Sequence, residues 1–342
     1  MARLLIIVFD SLRKDVFDNC EHPLLSSWKH TGACFENCFS QSGFTPVSFS
    51  SFLSGRFPSN NSVRCERPVT YRQGDPEVPC VWWNVSENPW GNLILDGAYP
   101  LTKSLFSLFS HRLLLIKPDK TNAFAELETR EMMDSTEYGQ DLTERFEKCK
   151  NTLLHDDSIV VIRVYDTHLP YGRGISPCDA ESNEKIRKKV AEWYRKDEGR
   201  TLMDQVAVPS LQRACGYLEP LWDEIHSRLD LTIIMSDHGD NWYSDADQVG
   251  HARFLTNSVL HVPLVVVDGK RKGRFYRHCN NVDIVATILE CTGKSIDWKT
   301  DSRSLFADDR CRDTYMTEAN SQHGRYWRAS IVNPNIRKDK FS

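Results

Sequence analysis

Acidic and histidine residues follow three apolar runs of the chain, each at the point where the run stops. The runs and the residues after them are Leu4–Phe9 with Asp10, Ile159–Val164 with Asp166 and His168, and Leu231–Met235 with Asp237 and His238. Carboxylates and imidazoles bind divalent cations and also serve as general acids and bases. These residues therefore predict metal-assisted or acid–base chemistry, provided that the fold brings the three segments together.

A threonine at the start of a predicted helix is the candidate nucleophile. In the segment GFTPVSFSSFLSGR, Thr45 suits an N-cap, Pro46 suits the first helical position and Gly55 suits the C-terminal stop. The predicted helix runs from Pro46 to Ser54 and directs the positive end of its dipole at the Thr45 hydroxyl. A purely structural cap is the alternative, because a threonine hydroxyl is a weak nucleophile unless a metal or a base activates it.

The predicted metal site combines residues from separate segments. Asp10, Asp237, His238 and the Thr45 oxygen form the predicted ligand set of one divalent cation, either Mn, Zn, Mg or Ca. Such an ion would lower the pKa of the Thr45 hydroxyl and polarise an ester oxygen. Each acid taken alone also fits a loop cap. Only their joint position after apolar runs favours a metal site.

The elements that must position these residues belong to an α/β fold. The three apolar runs, and a fourth at Val262–Val267, predict buried parallel strands because their hydrophobicity is continuous rather than alternating. Helical periodicity lies between them, at Gly139–Leu154, Ile186–Arg195, Leu211–Leu229 and Val282–Cys291. Alternating strands and helices predict a three-layer sandwich around a mostly parallel central sheet. Ligands bind beyond the carboxyl ends of the strands in such sheets, where the acid and histidine residues lie.

The bulk composition is that of a globular protein and excludes several classes of function. The chain has 342 residues, 40% hydrophobic and 26% charged, with a formal net charge of −4. That charge gives no reason to expect a nucleic acid partner, and no apolar run reaches the roughly 18 residues of a membrane span. Eleven cysteines without a CxxC pair, and a start without an export signal, predict reduced thiols and a cytoplasmic location. The sequence does not predict an oligomeric state.

Six segments resemble, in order, the motifs of the sulfatase family of the alkaline phosphatase superfamily. They are IIVFDSLRKD, TPVSFSSFLSGRFPS, YDTHLPYG, IIMSDHGD, GHARFLTNSVLHVPLVV and NVDIVATILECTG, which together extend over roughly residues 4 to 293. The resemblance implies an alkaline phosphatase-like or sulfatase-like fold, a metal-bound nucleophile and hydrolysis of a phosphoric or sulfuric ester.

Departures from the family pattern narrow the implied chemistry. Ordinary sulfatases convert a cysteine or serine to formylglycine, which Thr45 at that position cannot form. The family arginine four places later is Phe49, and the second of two adjacent aspartates is Ser11. Threonine nucleophiles occur in relatives that act on phosphate esters, so the resemblance favours hydrolysis of phosphate or phosphonate esters through a covalent intermediate. A sulfatase, a phosphoryl or phosphoglycerol-type transferase and a non-catalytic sulfatase-like binding protein are the alternatives.

Four further residues receive roles from the resemblance. His168 and His251 lie in segments that contact the substrate or its leaving group, and one of them is predicted to protonate the leaving oxygen. Binding of a second metal is the alternative for that pair. Ser48 and Arg56 are predicted to contact the substrate, with a structural salt bridge as the alternative for Arg56. The expected substrate is a small molecule or a lipid or sugar ester.

The remaining stretches carry no motif. The predicted hydrolase core covers residues 1–296, with 64–120 as an insertion that shapes the pocket. Residues 297–342 are predicted to form a small or truncated C-terminal substructure. Arg13 and Lys14, which follow the first metal residue, are expected to lie in solvent.

Overall fold

The computed structural model describes residues 1–61, 105–116, 146–169, 171, 183–243, 249–251, 255–307, 314–320 and 326–332. The strands are β1 (Arg3–Phe9), β2 (Ala33–Phe39), β3 (His111–Ile116), β4 (Ser158–Val164), β5 (Leu231–Ser236), β6 (Asn241–Trp242), β7 (Val249–Gly250), β8 (His261–Val262), β9 (Leu264–Val267), β10 (Gly273–Asn280), β11 (Thr314–Asn320) and β12 (Tyr326–Val332). The helices span Lys14–Asn19, Pro23–Thr31, Thr45–Ser54, Pro58–Asn61, Asn183–Asp197, Arg200–Leu202, Val208–Ile225, Asn257–Leu260 and Ile284–Thr292. A further helix passes through residues 146–154.

Eight strands form the central sheet. Seven of them follow the order β10-β2-β9-β5-β1-β4-β3, and β8 pairs with β2. β1 lies between β4 and β5 and is parallel to both, with Phe9 beside Val164 and Ser236. The carboxyl ends of these three strands therefore meet at one edge of the sheet. The segments that follow them converge there, as the sequence predicts.

The fourth apolar run, Val262–Val267, was predicted to form one parallel strand, and the structure differs. Pro263 divides it into β8 and β9, because proline has no N–H to donate to a strand ladder. β9 is antiparallel to both of its neighbours, β2 and β5. The prediction of direction was wrong because continuous hydrophobicity indicates burial on both faces, which an antiparallel strand within a covered sheet shares with a parallel one.

Helices cover both faces of the sheet, which gives the predicted three-layer architecture. Successive residues of a strand point to opposite faces, so β1 contributes Leu5, Ile7 and Phe9 to one core and Leu4, Ile6 and Val8 to the other. The first core includes apolar residues of the helices Pro23–Thr31 and Val208–Ile225. The second includes residues of the helices Thr45–Ser54 and Ile284–Thr292. Apolar packing on both faces thus holds the sheet whose edge carries the predicted site.

The predicted helices are present wherever the structure describes their residues. Ile186–Arg195 lies within Asn183–Asp197, and most of Leu211–Leu229 lies within Val208–Ile225. The last predicted helix ends at Gly293, whose φ of 69° lies in the left-handed region that glycine adopts without strain. Of Gly139–Leu154, residues 146–154 are helical and the earlier ones lie outside the described residues.

The Thr45 helix, Thr45–Ser54, begins one residue earlier than predicted. Phe44 is the residue before the helix, so Thr45 is the first helical residue and its side chain does not cap the helix. A one-residue difference at a helix end is common, but here it has a chemical consequence: the hydroxyl is left for another partner. Gly55 ends the helix with a φ of 70°, as predicted.

The stretches without motifs are described only in part. Residues 111–116 of the predicted insertion form β3, which pairs with β4 in the central sheet, while residues 64–104 and 117–120 of the insertion lie outside the described residues. In the C-terminal stretch, β11 and β12 form an antiparallel pair. The domain boundaries and the pocket-shaping role of the insertion remain predictions.

Three other expectations can be compared with the structure. The seven described cysteines are all free thiols: Cys20, Cys34, Cys38, Cys149, Cys215, Cys279 and Cys291. None of the described helices is both long and apolar enough to cross a membrane. The expectation that Arg13 and Lys14 lie in solvent was wrong, since both are buried. Arg13 packs over the ring of Trp242, and Lys14 forms ion pairs with Asp18 and Glu36.

Candidate metal centre and nucleophile

The first part of the candidate site is the turn after β1. Asp10 is completely buried, and its backbone N–H donates to the carbonyl of Val164 at 2.8 Å. Ser11 has a φ of 56°, in the left-handed region that residues other than glycine rarely adopt. The Ser11 hydroxyl lies 3.1 Å from Asp10 Oδ1, and the Ser11 N–H donates to Asp237 Oδ1 at 3.1 Å. Ser11 therefore links the end of β1 to the end of β5.

The turn after β5 provides Asp237 and His238, both completely buried. Asp237 Oδ1 also accepts from the N–H of His238 at 2.8 Å, whereas its Oδ2 has no hydrogen-bond partner in the described part of the chain. The Nδ1–H of His238 donates to the carbonyl of Gly239 at 2.8 Å, which leaves Nε2 with a lone pair. Gly239 is required because a Cβ there would lie 2.1 Å from the carbonyl oxygen of Ser258.

Thr45 contacts this pair from the start of its helix. Its side chain is buried, and its Oγ1 lies 3.1 Å from Nε2 of His238. Because the proton of His238 is on Nδ1, the Thr45 hydroxyl donates to Nε2. The first backbone N–H groups of a helix have no partner within the helix and carry partial positive charge. The Thr45 oxygen is therefore placed where a developing negative charge is favoured.

The donor set fits a divalent cation. Asp10, Asp237 and His238 each offer one ligand atom, and the three atoms lie within 4.8 Å of one another. One buried carboxylate oxygen, Asp237 Oδ2, lacks a partner, which is unusual unless an ion or another group binds it. A histidine that donates from Nδ1 to a carbonyl is oriented in the way typical of metal ligands. The structure thus brings together the predicted ligand residues, although their role as ligands remains a prediction.

Burial dominates the electrostatics of the cluster. Burial and the charge of Asp10 raise the pKa of Asp237 to about 8. Burial and the neighbouring His251 lower the pKa of His238 to about 3, so this imidazole is neutral at physiological pH. For Asp10, burial opposes ionisation, but Arg163 and the nearby histidines hold its pKa well below its usual value. Without a cation, Arg163 favours the ionised form of Asp10, and burial favours the protonated form of Asp237.

Arg163, one residue before the end of β4, is a site residue that the motifs do not identify. Its Nε donates to Asp10 Oδ2 at 2.7 Å, and its Nη2 donates to the same oxygen. Only 11% of its side chain is exposed. One feature of the sequence does point to Arg163: it is the single charged residue inside the apolar run Ile159–Val164. A charge on a buried strand requires a partner. The sequence does not indicate which residue is that partner.

His168 and His251 lie on the less buried side of the cluster. The ring centre of His251 is 4.4 Å from that of His238 and 5.0 Å from that of His168. The Nδ1–H of His168 donates to the carbonyl of Leu169 at 2.5 Å. The partner of this nitrogen is therefore Leu169 and not the neighbouring Asp166. Of the two histidines predicted to act on the leaving group, His251 is therefore next to a candidate metal ligand, and His168 is next to His251.

A buried hydrogen-bond chain holds His251. Its Nδ1–H donates to Asp240 Oδ1 at 3.4 Å, the Tyr171 hydroxyl donates to Asp240 Oδ2 at 3.2 Å, and Trp242 Nε1 donates to the Tyr171 oxygen. Burial acts to lower the pKa of His251, but the hydrogen bond and charge of Asp240 raise it above its usual value. Burial lowers the pKa of His168. The two imidazoles thus differ, with the protonated form favoured in His251 and the neutral form in His168.

Ser48 and Arg56 do not lie on the less buried side of the cluster. Ser48 is completely buried, and its hydroxyl donates to the carbonyl of Asp237 at 2.6 Å, so it supports the backbone of the site. Arg56 follows the far end of the ten-residue Thr45 helix, which corresponds to about 15 Å of helix. Phe49 packs in the apolar core against Phe52. Substrate contact by Ser48 or Arg56 remains a prediction, and their positions do not favour it.

Solved structures with the same fold include hydrolases of two ester classes. Phosphonate monoester hydrolase SpPMH from Silicibacter pomeroyi has a TM-score of 0.60 at 13% identity over 94% of this chain and 80% of its own. The phosphonate monoester hydrolase of Agrobacterium radiobacter has a TM-score of 0.58 at 14% identity, over 94% and 81%. A 2-O GAG sulfatase has a TM-score of 0.60 at 18% identity, over 94% and 78%. At such identities the similarity establishes the fold, which is sulfatase-like as the motifs imply.

No protein-family model matches this chain, and no curated protein sequence matches it either.

Proposed function

We propose that this protein is a metal-dependent hydrolase of phosphate or phosphonate esters with Thr45 as its nucleophile. The observation that supports this most directly is the 3.1 Å contact between Thr45 Oγ1 and His238 Nε2. The same histidine belongs to a three-residue cluster whose ligand atoms lie within 4.8 Å of one another. The fold shared with phosphonate monoester hydrolases and a sulfatase adds support.

Asp10, Asp237 and His238 would hold the cation, with the Thr45 oxygen next to them. A bound divalent cation lowers the pKa of a nearby hydroxyl and polarises an ester oxygen. The chain itself prepares the nucleophile, because the buried hydroxyl of Thr45 lies 3.1 Å from the predicted ligand atom Nε2 of His238 and at the positive end of a helix, where negative charge on its oxygen is favoured. Burial also excludes most of the water that would compete with Thr45.

The proposed reaction has two displacements at phosphorus. In the first, a bond forms from Thr45 Oγ1 to phosphorus while the bond to the leaving oxygen breaks. The Thr45 proton passes to His168, the histidine with the lowered pKa that is not a predicted metal ligand, and the leaving oxygen takes a proton from His251, which is the histidine with the raised pKa. In the second, water attacks phosphorus while the bond from phosphorus to Thr45 Oγ1 breaks, which releases the phosphate or phosphonate. His251 takes a proton from the attacking water, and His168 returns its proton to Thr45.

The nucleophile favours phosphoryl over sulfuryl transfer. A threonine keeps its hydroxyl and cannot be converted to formylglycine, which supports direct attack by the threonine oxygen. An alcohol in place of water in the second displacement would make the same residues a transferase.

Hydrolysis of matched aryl esters tests the proposal. The full chain would be assayed with aryl phosphate, aryl phosphodiester, aryl phosphonate and aryl sulfate, each with added Mn²⁺, Zn²⁺, Mg²⁺ or Ca²⁺. Thr45→Ala is expected to lower kcat/KM for the phosphoryl esters by about 1,000-fold or more. Thr31→Ala, at an exposed threonine of another helix, is the matched control and should retain parental activity.

A covalent Thr45 ester should also be detectable. Acid quenching during turnover, followed by peptide mass spectrometry, is expected to identify phosphoryl or phosphonyl groups on the peptide that contains Thr45. Unchanged hydrolysis by Thr45→Ala would reject the nucleophile. A sulfate ester as the best substrate would reject the preference for phosphorus.

A further inference from the structure

The two carboxylates of the candidate metal site, Asp10 and Asp237, differ in their hydrogen-bond donors. Both Asp10 oxygens have side-chain donors: Oδ1 accepts from the Ser11 hydroxyl, and Oδ2 accepts from Nε and Nη2 of Arg163. Asp237 Oδ1 accepts from two backbone N–H groups, and its Oδ2 has no partner within the described ranges. A cation would therefore find Asp237 available and Asp10 already paired with a guanidinium.

The position of Arg163 makes this pairing strong. Arg163 is on β4 in register with Val8 of β1, and Asp10 lies two residues beyond Val8. Its side chain is 11% exposed, and that of Asp10 is completely buried. Screening by water and salt is weak in such surroundings, so charges act on one another over several ångströms. A divalent cation bound to Asp10 would lie close to a fixed positive charge on the protein.

We propose that Arg163 and the divalent cation compete for Asp10, so that Arg163 sets the metal affinity of the site. This inference rests on the metal centre of the proposed function. In the metal-free protein, Arg163 pairs with Asp10 through two N–H groups. A cation that binds Asp10 through Oδ2 takes the place of the guanidinium, whose carbon already lies 5.4 Å from the centre of the Tyr165 ring and can remain over that face.

One departure from the sulfatase pattern acts in the same direction as the competition. The chain lacks the second aspartate, which is Ser11. Exchange of a carboxylate for a serine, together with a guanidinium on β4, makes the site less negative than a set of three carboxylates. Weaker and reversible cation binding is the expected consequence.

Metal titrations of the full chain test the competition without any assay of activity. Parent, Arg163→Gln and Arg163→Lys proteins would be stripped with chelator and titrated with Mn²⁺ and with Zn²⁺ by calorimetry. Arg163→Gln removes the charge and is expected to bind each metal about tenfold more tightly or better. Arg163→Lys keeps the charge and should bind with near-parental affinity. Circular dichroism would verify that each variant is folded.

Thermal unfolding gives a second readout. Without metal, Arg163→Gln leaves Asp10 unpaired and should unfold at a lower temperature than the parent. Saturating Mn²⁺ should raise the unfolding temperature of Arg163→Gln by more than it raises that of the parent. Equal or weaker metal binding by Arg163→Gln, or equal tightening by Arg163→Lys, would overturn the competition while leaving the metal centre in place. Failure of the parent and both variants to bind either metal would overturn both the competition and the proposed function.

Discussion

The Nδ1–H of His251 donates to Oδ1 of Asp240 at 3.4 Å, and the same imidazole ring lies 4.4 Å from the ring of His238. A carboxylate that accepts from one imidazole nitrogen fixes the orientation of the ring and favours its protonated form. Asp240 is itself held by the Tyr171 hydroxyl. This relationship connects His251, a predicted acid of the reaction, to Asp240, a residue for which no role was predicted.

Asp240→Asn is expected to move the alkaline limb of the pH–rate profile to lower pH. Asp240 raises the pKa of His251, and an acid that acts in its protonated form loses activity as the pH rises through that pKa. Loss of the carboxylate charge lowers the pKa, so the decline should begin at lower pH. At pH 8 the expected loss in kcat/KM is about 10- to 100-fold. The measurement is kcat/KM for an aryl phosphate across the pH range.

Tyr171→Phe is the comparison for this prediction. It removes the hydroxyl that contacts Asp240 but keeps the charge that acts on His251, so the rate should fall with little movement of the alkaline limb. Superimposable profiles for the parent and Asp240→Asn would show that Asp240 does not act through His251.

Much of the site could be predicted because its residues follow strands or lie at the start of a helix. Asp10, Asp237 and His238 come directly after continuous apolar runs, and parallel strands end at a common edge. Thr45 is marked by Pro46 and Gly55, which punctuate its helix. In each case the local sequence pattern identifies a strand or a helix. The position of a residue at the end of that element then indicates where the residue lies in the fold.

The residues that were missed depend on long-range packing. Arg163 contacts Asp10 only because β4 is adjacent to β1 in a particular register, and no local pattern specifies a register. The chain from Trp242 through Tyr171 to Asp240 likewise joins segments that are far apart in sequence. The direction of β9 was also predicted wrongly, because burial on both faces of a sheet does not depend on strand direction.

Asp237→Asn is expected to make the metal-free protein more stable than the parent, by an amount that grows as the pH rises. The pKa of Asp237 is raised from 3.8 to about 8, so over that range the folded state keeps a proton that the unfolded state releases. Stability of the metal-free parent therefore falls as the pH rises from about 4 to about 8. An asparagine is neutral at every pH and avoids this loss. At pH 8 in chelator, Asp237→Asn should be more stable by about 1 kcal/mol or more.

Asp10→Asn should act in the opposite direction. It leaves the buried guanidinium of Arg163 without its carboxylate, which costs about 3–5 kcal/mol when one partner of a buried pair is removed. Thermal and urea unfolding of both variants at several pH values in chelator is the measurement. Destabilisation of equal size by Asp237→Asn would show that Asp237 is ionised without a cation.

Ser48→Ala is expected to affect stability rather than substrate recognition. The buried Ser48 hydroxyl donates to the carbonyl of Asp237 and lies 3.2 Å from the Ser40 hydroxyl. Loss of these hydrogen bonds should destabilise the protein by about 1–3 kcal/mol, with KM for an aryl phosphate close to the parental value. Arg56→Gln should likewise leave KM unchanged, because Arg56 follows the opposite end of the Thr45 helix. A several-fold rise in KM for either variant would restore the predicted substrate contact.

Gly239→Ala is expected to damage the metal centre through the backbone. A Cβ at Gly239 would lie 2.1 Å from the carbonyl oxygen of Ser258, a backbone atom that cannot move aside without moving its helix. The carbonyl of Gly239 accepts from Nδ1 of His238, so a shift of this turn misplaces Nε2. Metal affinity should fall by about 10- to 100-fold, the range found when the outer support of a metal-binding histidine is lost.

Gly216→Ala provides the control for an added methyl group. Gly216 is an exposed residue inside the helix Val208–Ile225, and a Cβ there meets no atom within 4 Å. Alanine favours a helix over glycine, so this variant should gain about 0.5–1 kcal/mol in stability and keep the parental metal affinity. Calorimetric Mn²⁺ titration and thermal unfolding of both variants separate the two effects. Parental Mn²⁺ affinity in a destabilised Gly239→Ala protein would mean that the turn supports the fold and not the orientation of His238.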